Sequence, residues 1–316
     1  MLTRLGAALS ILLTSATIAA AQLTVVATTG MIADTARQIG GDHVQVRALM
    51  GPGVDPHAFR QTRSDIVAMT RADLILWHGL YLEAQMEDVL QDLASKVPVV
   101  AVGDAVPMDA RVAHDDYQNR FDPHVWMDVA LWSECVAYVA QELGTLDASS
   151  SEDYQGRAVA YRKQLAELDS YIKEVIGTVP AEQRYLVTAH DAFGYFAEAY
   201  DIEVKAIQGI STDSQAAISD INSQVDFIVE KKVPAIFVES SVSPKNIEAV
   251  IEGCSSRGWT LKVGAELYSD AMGEPGTYEG TYIGMMDHNA TKIARALGGE
   301  APERGWQGRL SETSKH

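Results

Sequence analysis

The sequence predicts an α/β protein of two lobes, each a parallel sheet flanked by helices, joined by one long rigid helix. Three observations lead there. Short apolar runs alternate with amphipathic ones through the first half of the chain, and the same alternation restarts after Pro180. Between the two halves, residues 151–176 contain no Pro and a single Gly, Gly156. Strands alternating with helices imply a parallel sheet covered on both faces. The uninterrupted middle run implies one helix of roughly 26 residues, about 39 Å at 1.5 Å per residue.

Leu23–Thr28 reads as the first strand, followed by a helix from about Ile32 to Ile39 that Gly40-Gly41 ends. Val44–Met50 is the second strand, and Asp55-Pro56-His57 comes directly after it. Ser64 is expected to cap a helix through Arg71. Asp73–Trp77 and Val97–Val102 read as strands around a helical run, Glu83–Ser95, and Asp128–Leu143 is amphipathic. In the middle run Tyr161, Leu165, Leu168, Tyr171, Ile172 and Val175 recur at spacings of three and four, and its place midway suits a rigid connector. Beyond it, strands are expected at Tyr185–Thr188, Glu203–Ile207, Ala235–Val238 and Lys262–Ala265. Helices are expected around Phe193–Tyr200, Ser214–Glu230, Pro244–Cys254 and Gly280–Leu297.

The N-terminus reads as an export signal. Arg4 precedes the apolar run Leu5–Leu13, and small residues end at Ala19-Ala20-Ala21, so cleavage is expected before Gln22. The apolar core is too short for a membrane anchor, and no Cys lies at the cleavage site to take a lipid. The expected compartment is a bacterial periplasm. The boundaries are then 1–21 for the signal peptide, 22–147 for the N-terminal lobe and 148–180 for the connecting helix. The C-terminal lobe takes 181–298, and 299–316 is a polar tail expected to fray. No later stretch is apolar enough to span a membrane. A formal net charge of −18 argues against nucleic acid as a partner and suits an attraction for cations. Cys135 and Cys254 fall in different lobes within helical patterns, so both are expected buried and unpaired, and two thiols cannot build a Cys-rich zinc cluster.

The tripeptide Asp-Pro-His occurs twice, at 55–57 and 122–124. A histidine held behind proline in a short loop has a restricted backbone and a free imidazole. Ligands of open parallel sheets bind beyond the carboxyl ends of the strands. Four metal-competent side chains fit that rule: His57 after the second strand, His124 beyond the fourth, His190 at the end of Tyr185–Ala189, and Asp270 beyond the last strand. Each lobe then contributes two ligands to a site between the lobes. Three neutral imidazoles and a carboxylate suit a borderline divalent ion. His78, in Trp77-His78-Gly79, also follows a strand and is the alternative ligand. Asp55 and Asp122 are expected to cap the turns that follow them. Glu239 is a candidate partner for an imidazole N–H. Thr28-Thr29-Gly30 lacks a full glycine-rich fingerprint and reads as a tight strand-to-helix turn rather than an anion site. His43 and His114 sit in polar turns, His288 lies on the last helix, and His316 is terminal.

Four segments together resemble a known family. They are Gly51–His57, Asp122–Asp128, Val187–Phe196 and Leu267–Gly273, in this order along the chain. They look like the metal-binding solute-binding proteins of bacterial ABC importers, the zinc, manganese and iron receptors of solute-binding protein family 9. The resemblance covers Leu23 to about Leu297. It implies a monomeric periplasmic receptor carrying one Zn²⁺ or Mn²⁺, with Fe²⁺ a third cargo, in the cleft between two metal-binding lobes. It places the ligands on His57, His124, His190 and Asp270, and it implies delivery to an inner-membrane permease powered by an ATPase. Many zinc receptors of the family carry a long loop rich in His and acids before the second ligand, whereas here Asp109–Tyr117 is short with a single His. Manganese and iron members often have Glu at the third ligand position, where this chain has His190. The first departure points away from zinc and the second towards it. Zinc is expected to bind tightest in vitro, with manganese the competing physiological cargo.

Two other functions are the alternatives. A zinc hydrolase needs an open coordination position and a general base, and no H-E-x-x-H helix motif is present. A periplasmic metal buffer without a dedicated permease would share the same site.

Overall fold

The computed structural model describes residues 22–113, 120–212 and 215–311. The expected signal peptide, His114 and His316 lie outside the described residues.

The N-terminal lobe is one four-stranded parallel sheet, built from β1 (Leu23–Ala27), β2 (Val44–Ala48), β3 (Leu74–Trp77) and β4 (Val99–Ala101) in the order β2-β1-β3-β4. The register pairs Val25 with Val46 and Leu74, and Leu76 with Val100. Side chains alternate across the sheet, so successive residues enter different cores. Val25, Ala27, Leu74 and Leu76 face α1 (Gly30–Gly40), while Val26 and Ile75 join Met69 of α2 (Arg63–Thr70) and Leu90 of α3 (Glu87–Leu93). The cap of α2 is Thr62 rather than Ser64. Thr62 Oγ1 accepts from the Asp65 N–H and the Asp65 carboxylate accepts from the Thr62 N–H, a reciprocal box.

Two long antiparallel neighbours follow. Asp128 caps α4 (Val129–Leu146), its carboxylate accepting from the Ala130 and Leu131 N–H groups. The connector α5 spans Ser151–Gly177, 27 residues. Its buried face is Tyr154, Ala158, Tyr161, Leu165, Leu168, Ile172, Val175 and Ile176. Tyr171 is partly buried and its hydroxyl hydrogen-bonds Thr291.

The C-terminal lobe contains two parallel pairs. The first is β5 (Tyr185–His190) with β6 (Glu203–Gln208), and the second is β7 (Ala235–Glu239) with β8 (Lys262–Leu267). They meet at β5 and β7. Helices α6 (Gly194–Tyr200), α7 (Ile218–Lys231), α8 (Lys245–Ser256) and α9 (Tyr282–Ala296) cover them. Ile236, Val225, Ile228 and Val250 form a core private to this lobe.

One apolar cluster runs through both lobes. It joins β1 and β3 to α1, α4 and α5, then to Phe193, Phe237, Tyr282 and Met286. Polar ties accompany it: Asp34 accepts from the Tyr282 N–H at 2.9 Å, and the Tyr282 hydroxyl donates to the Trp126 carbonyl at 2.7 Å. Such continuous packing resists hinge opening. Cys135 and Cys254 are buried and free, on α4 and α8.

The tail departs from expectation. Leu310 is buried, the Trp306 N–H donates to Asp287 on α9, and Ser311 donates twice to Glu279. Buried apolar surface and satisfied backbone groups fix residues 299–311 against the lobe, where composition alone suggested fraying.

Candidate metal centre

His57, His124, His190 and Asp270 converge. One donor atom from each lies within 4.8 Å of all the others, and all four residues are buried. His57 and His124 come from the N-terminal lobe, His190 from the end of β5, and Asp270 from the loop after β8. The geometry is built by the loops. In each Asp-Pro-His the aspartate carboxylate accepts from the histidine N–H two residues on, at 2.8 Å for His57 and 2.9 Å for His124. This turn, with proline between, fixes where the imidazole points. Asp55 also accepts from the Thr212 hydroxyl of the other lobe.

The Nε2 atoms face each other. His57 Nε2 is 3.3 Å from His124 Nε2, and Asp270 lies 3.3 Å from His124 Nε2, 3.2 Å from His190 Nε2 and 4.0 Å from His57 Nε2. Donors around a tetrahedral ion at about 2.0–2.1 Å are about 3.3–3.4 Å apart, and three of these four separations are close to that. Both Asp270 carboxylate oxygens and His190 Nε2 are buried without a hydrogen bond. Orphaned polar atoms of this kind are rare unless something else is meant to occupy them.

Behind two of the imidazoles stands a carboxylate. His124 Nδ1 is 2.7 Å from Asp122, and His190 Nδ1 is 2.5 Å from Glu239. A carboxylate only accepts, so Nδ1 carries a proton and Nε2 is the atom left to give its lone pair to an ion. Glu239 also accepts from the Ala189 and His190 N–H groups, at 2.8 and 2.9 Å, tying the end of β5 to β7. Glu239 is thus the N–H partner suggested by its place in the sequence. Asp122 does more than cap its turn; the second signal for it is the same tripeptide, which puts a carboxylate two residues before a ring.

The electrostatics depend on proton or metal charge. Burial depresses the His57 imidazole to about 3. Burial pulls His124 down as well, but Asp122 and Asp270 more than reverse it, to about 9. For His190, burial is outweighed by Glu239 and Asp270, which hold it well above its ordinary value. Burial would raise Asp270, yet His190 and His124 keep it well below the usual carboxylate range. With every imidazole neutral, Asp122, Glu239 and Asp270 leave excess buried negative charge, which a dication relieves.

His78 is not among the four. Its buried ring packs edge-on to Trp126 at 4.9 Å and stacks with Trp132 at 6.3 Å. Its backbone explains its place: Glu83, buried in the crevice beyond β1 and β3, accepts from the Thr28 hydroxyl and from the His78 and Gly79 N–H groups. The Thr28-Thr29-Gly30 turn accordingly serves this carboxylate and leads into α1. His288 Nε2 meets the Glu266 carbonyl, and His43 meets Asp153 and Ser150, both outside the cluster.

Comparison with known proteins finds metal-binding relatives. The family model for ZnuA, the periplasmic component A of the zinc-uptake complex, matches residues 25–296. The chain is 46% identical over 273 residues to the zinc-binding protein TroA of Treponema pallidum, spanning 86% of this chain and 88% of that protein. It is 44% identical over 276 residues to the manganese-binding lipoprotein MntA of Bacillus subtilis, spanning 87% and 90%. The solved structure of the periplasmic zinc-binding protein TroA matches with a TM-score of 0.85 at 46% identity, covering 87% of this chain and 99% of that one. Among the described residues no helix is long and apolar enough to cross a membrane.

Proposed function

The chain belongs to the family of periplasmic zinc-uptake component A and its metal-binding relatives, and on that premise we propose that it is an exported receptor for a divalent transition metal. It captures one Zn²⁺ or Mn²⁺ ion through His57, His124, His190 and Asp270 and releases it to the inner-membrane permease of an ABC importer. The ion is cargo. The leader at 1–21 takes the chain to the periplasm, where it works as a monomer with no need of nucleic acid or membrane insertion. One lobe contributes the two Asp-Pro-His loops, and the other contributes His190 and Asp270.

The observation that carries this reading is the convergence of four buried donors, three of whose atoms lack any hydrogen bond. All four positions are supplied by the protein, which suits a closed carrier site more than a hydrolase with an open one. The donor set ranks zinc above manganese in intrinsic affinity. One relative is named for zinc and another for manganese at nearly equal identity, so availability in the periplasm selects the cargo. Elemental analysis of the protein purified from its own periplasm separates the two.

His57→Ala combined with Asp270→Ala tests the ligand set. The double variant should keep native circular dichroism and lose tight binding of both metals. An unchanged calorimetric stoichiometry of one would overturn the assignment.

A further inference from the structure

The C-terminal segment is fastened to the loop that carries Asp270. The Ser311 N–H donates to Glu279 Oε1 at 2.7 Å and the Ser311 hydroxyl to Oε2 at 2.9 Å, so both carboxylate oxygens are engaged. Next to this contact the Arg309 guanidinium lies 4.3 Å above the Tyr278 ring. The segment has its own anchors, the buried Leu310 side chain and the Trp306 N–H on Asp287 at 2.8 Å. Glu279 in turn reaches towards the site: its carbonyl accepts from the Gly273 N–H at 2.9 Å, three residues from Asp270. The loop is doubled back too closely for side chains at Gly273 and Gly280. A Cβ on Gly273 would sit 2.8 Å from Glu279 Cβ, and one on Gly280 would sit 2.1 Å from the Glu274 carbonyl oxygen.

We propose that residues 305–311 are a clamp that positions Asp270 for metal, acting through Glu279 and Gly273. The inference rests on Asp270 being a ligand, as proposed above. Two features bear on how Asp270 is held. The Asp270 oxygens face the His124 and His190 Nε2 atoms, at 3.3 and 3.2 Å, and backbone placement sets how the carboxylate meets them. One flank of the loop, at Asp270, Met272 and Gly273, borders a cavity of about 590 Å³ that Arg309 also lines. Before Asp270 the loop is held by Trp126 Nε1, which donates to the Ser269 carbonyl at 2.8 Å, and after it the Ser311–Glu279–Gly273 chain supplies the second hold. Glu279 and Ser311 are therefore positioning residues, remote from the ion, that set how long it is retained.

Glu279→Ala, Glu279→Gln and the surface double variant Arg309→Ala/Ser311→Ala, all in the full chain, test the clamp beside Asp270→Ala. The readouts are chelator-triggered Zn²⁺ release and the visible spectrum of the Co²⁺ form, whose band intensity reports carboxylate ligation. Glu279→Ala should release Zn²⁺ about tenfold faster, the lower end for groups that support metal ligands, and should alter the Co²⁺ bands. Glu279→Gln, which keeps one acceptor for Ser311, should restore most of both. The double variant should follow Glu279→Ala, and it decides the matter if Glu279→Ala does not fold. Folded clamp variants with parental release and spectra, beside an Asp270→Ala that has lost binding, would overturn the clamp alone. Tight parental binding by Asp270→Ala would overturn the ligand assignment and the clamp with it.

Discussion

Metal capture at this centre should release two protons. Carboxylates outweigh burial at His124 and His190, holding the first at about 9 and the second well above its ordinary value, while burial leaves His57 near 3. Near pH 7 the metal-free site therefore carries protons on the Nε2 atoms of His124 and His190, facing Asp270, and none on His57. An ion needs those lone pairs, so it displaces both protons. Each displaced proton makes affinity tenfold stronger per pH unit, so two give about 100-fold, or about 2.7 kcal/mol per unit. The sign is fixed by the raised values: affinity climbs with pH, and the His124 contribution levels off above about 9. The same shifts act oppositely on the empty fold. A raised imidazole stabilises it fully below its unfolded value of 6.5, and that stability is lost as pH rises through about 9. The gap in Tm between loaded and metal-free protein should thus widen across that window. Calorimetric titration with chelator-buffered Zn²⁺ in buffers of different ionisation enthalpy counts the protons directly. A slope near two is expected, and a slope near zero would refute the electrostatic argument.

Two further outcomes follow from the carboxylates around the site. Glu239→Gln places an amide donor opposite His190 Nδ1, which favours the tautomer with its proton on Nε2 and blocks ligation; Zn²⁺ affinity should fall about 10- to 100-fold by competition with a chelator. Parental affinity would show that Glu239 does not set the tautomer. Glu83→Ala should leave metal stoichiometry at one and cost about 2–3 kcal/mol in urea unfolding, because it strands the Thr28 hydroxyl and two backbone N–H groups. That carboxylate also holds a turn in which Gly79, Leu80 and Tyr81 all have positive φ. A loss under 0.5 kcal/mol, on the order of a neutral surface change, would count against this role.

Much of the molecule was legible in the chain. Periodicity located the eight strands and the connector α5 to within a few residues, because sheet alternation and a helical apolar stripe are both local patterns. Boundaries shifted where side chains decide them: Thr62 and Asp65 close a capping box that a scan for Ser at the helix start passes over. The tail is ordered where composition suggests fraying because Trp306 and Ser311 gain their partners from α9 and Glu279, which are distant in sequence.

The site divides the same way. The repeated Asp-Pro-His fixes two rigid imidazoles through hydrogen bonds spanning two residues, so His57 and His124 were visible locally. That His190 and Asp270 meet them, and that His78 instead packs against Trp126 and Trp132, depends on how two lobes are pressed together by a shared core. The chain alone determined the fold class, the donor types and their pairing by lobe, since these are properties of short segments. Only the tertiary structure decided the 3.2–3.3 Å spacing, the Glu239 carboxylate behind His190 Nδ1 and the tie from Ser311 to the Asp270 loop. Distance and desolvation are properties of the packed interior, and no local pattern encodes them.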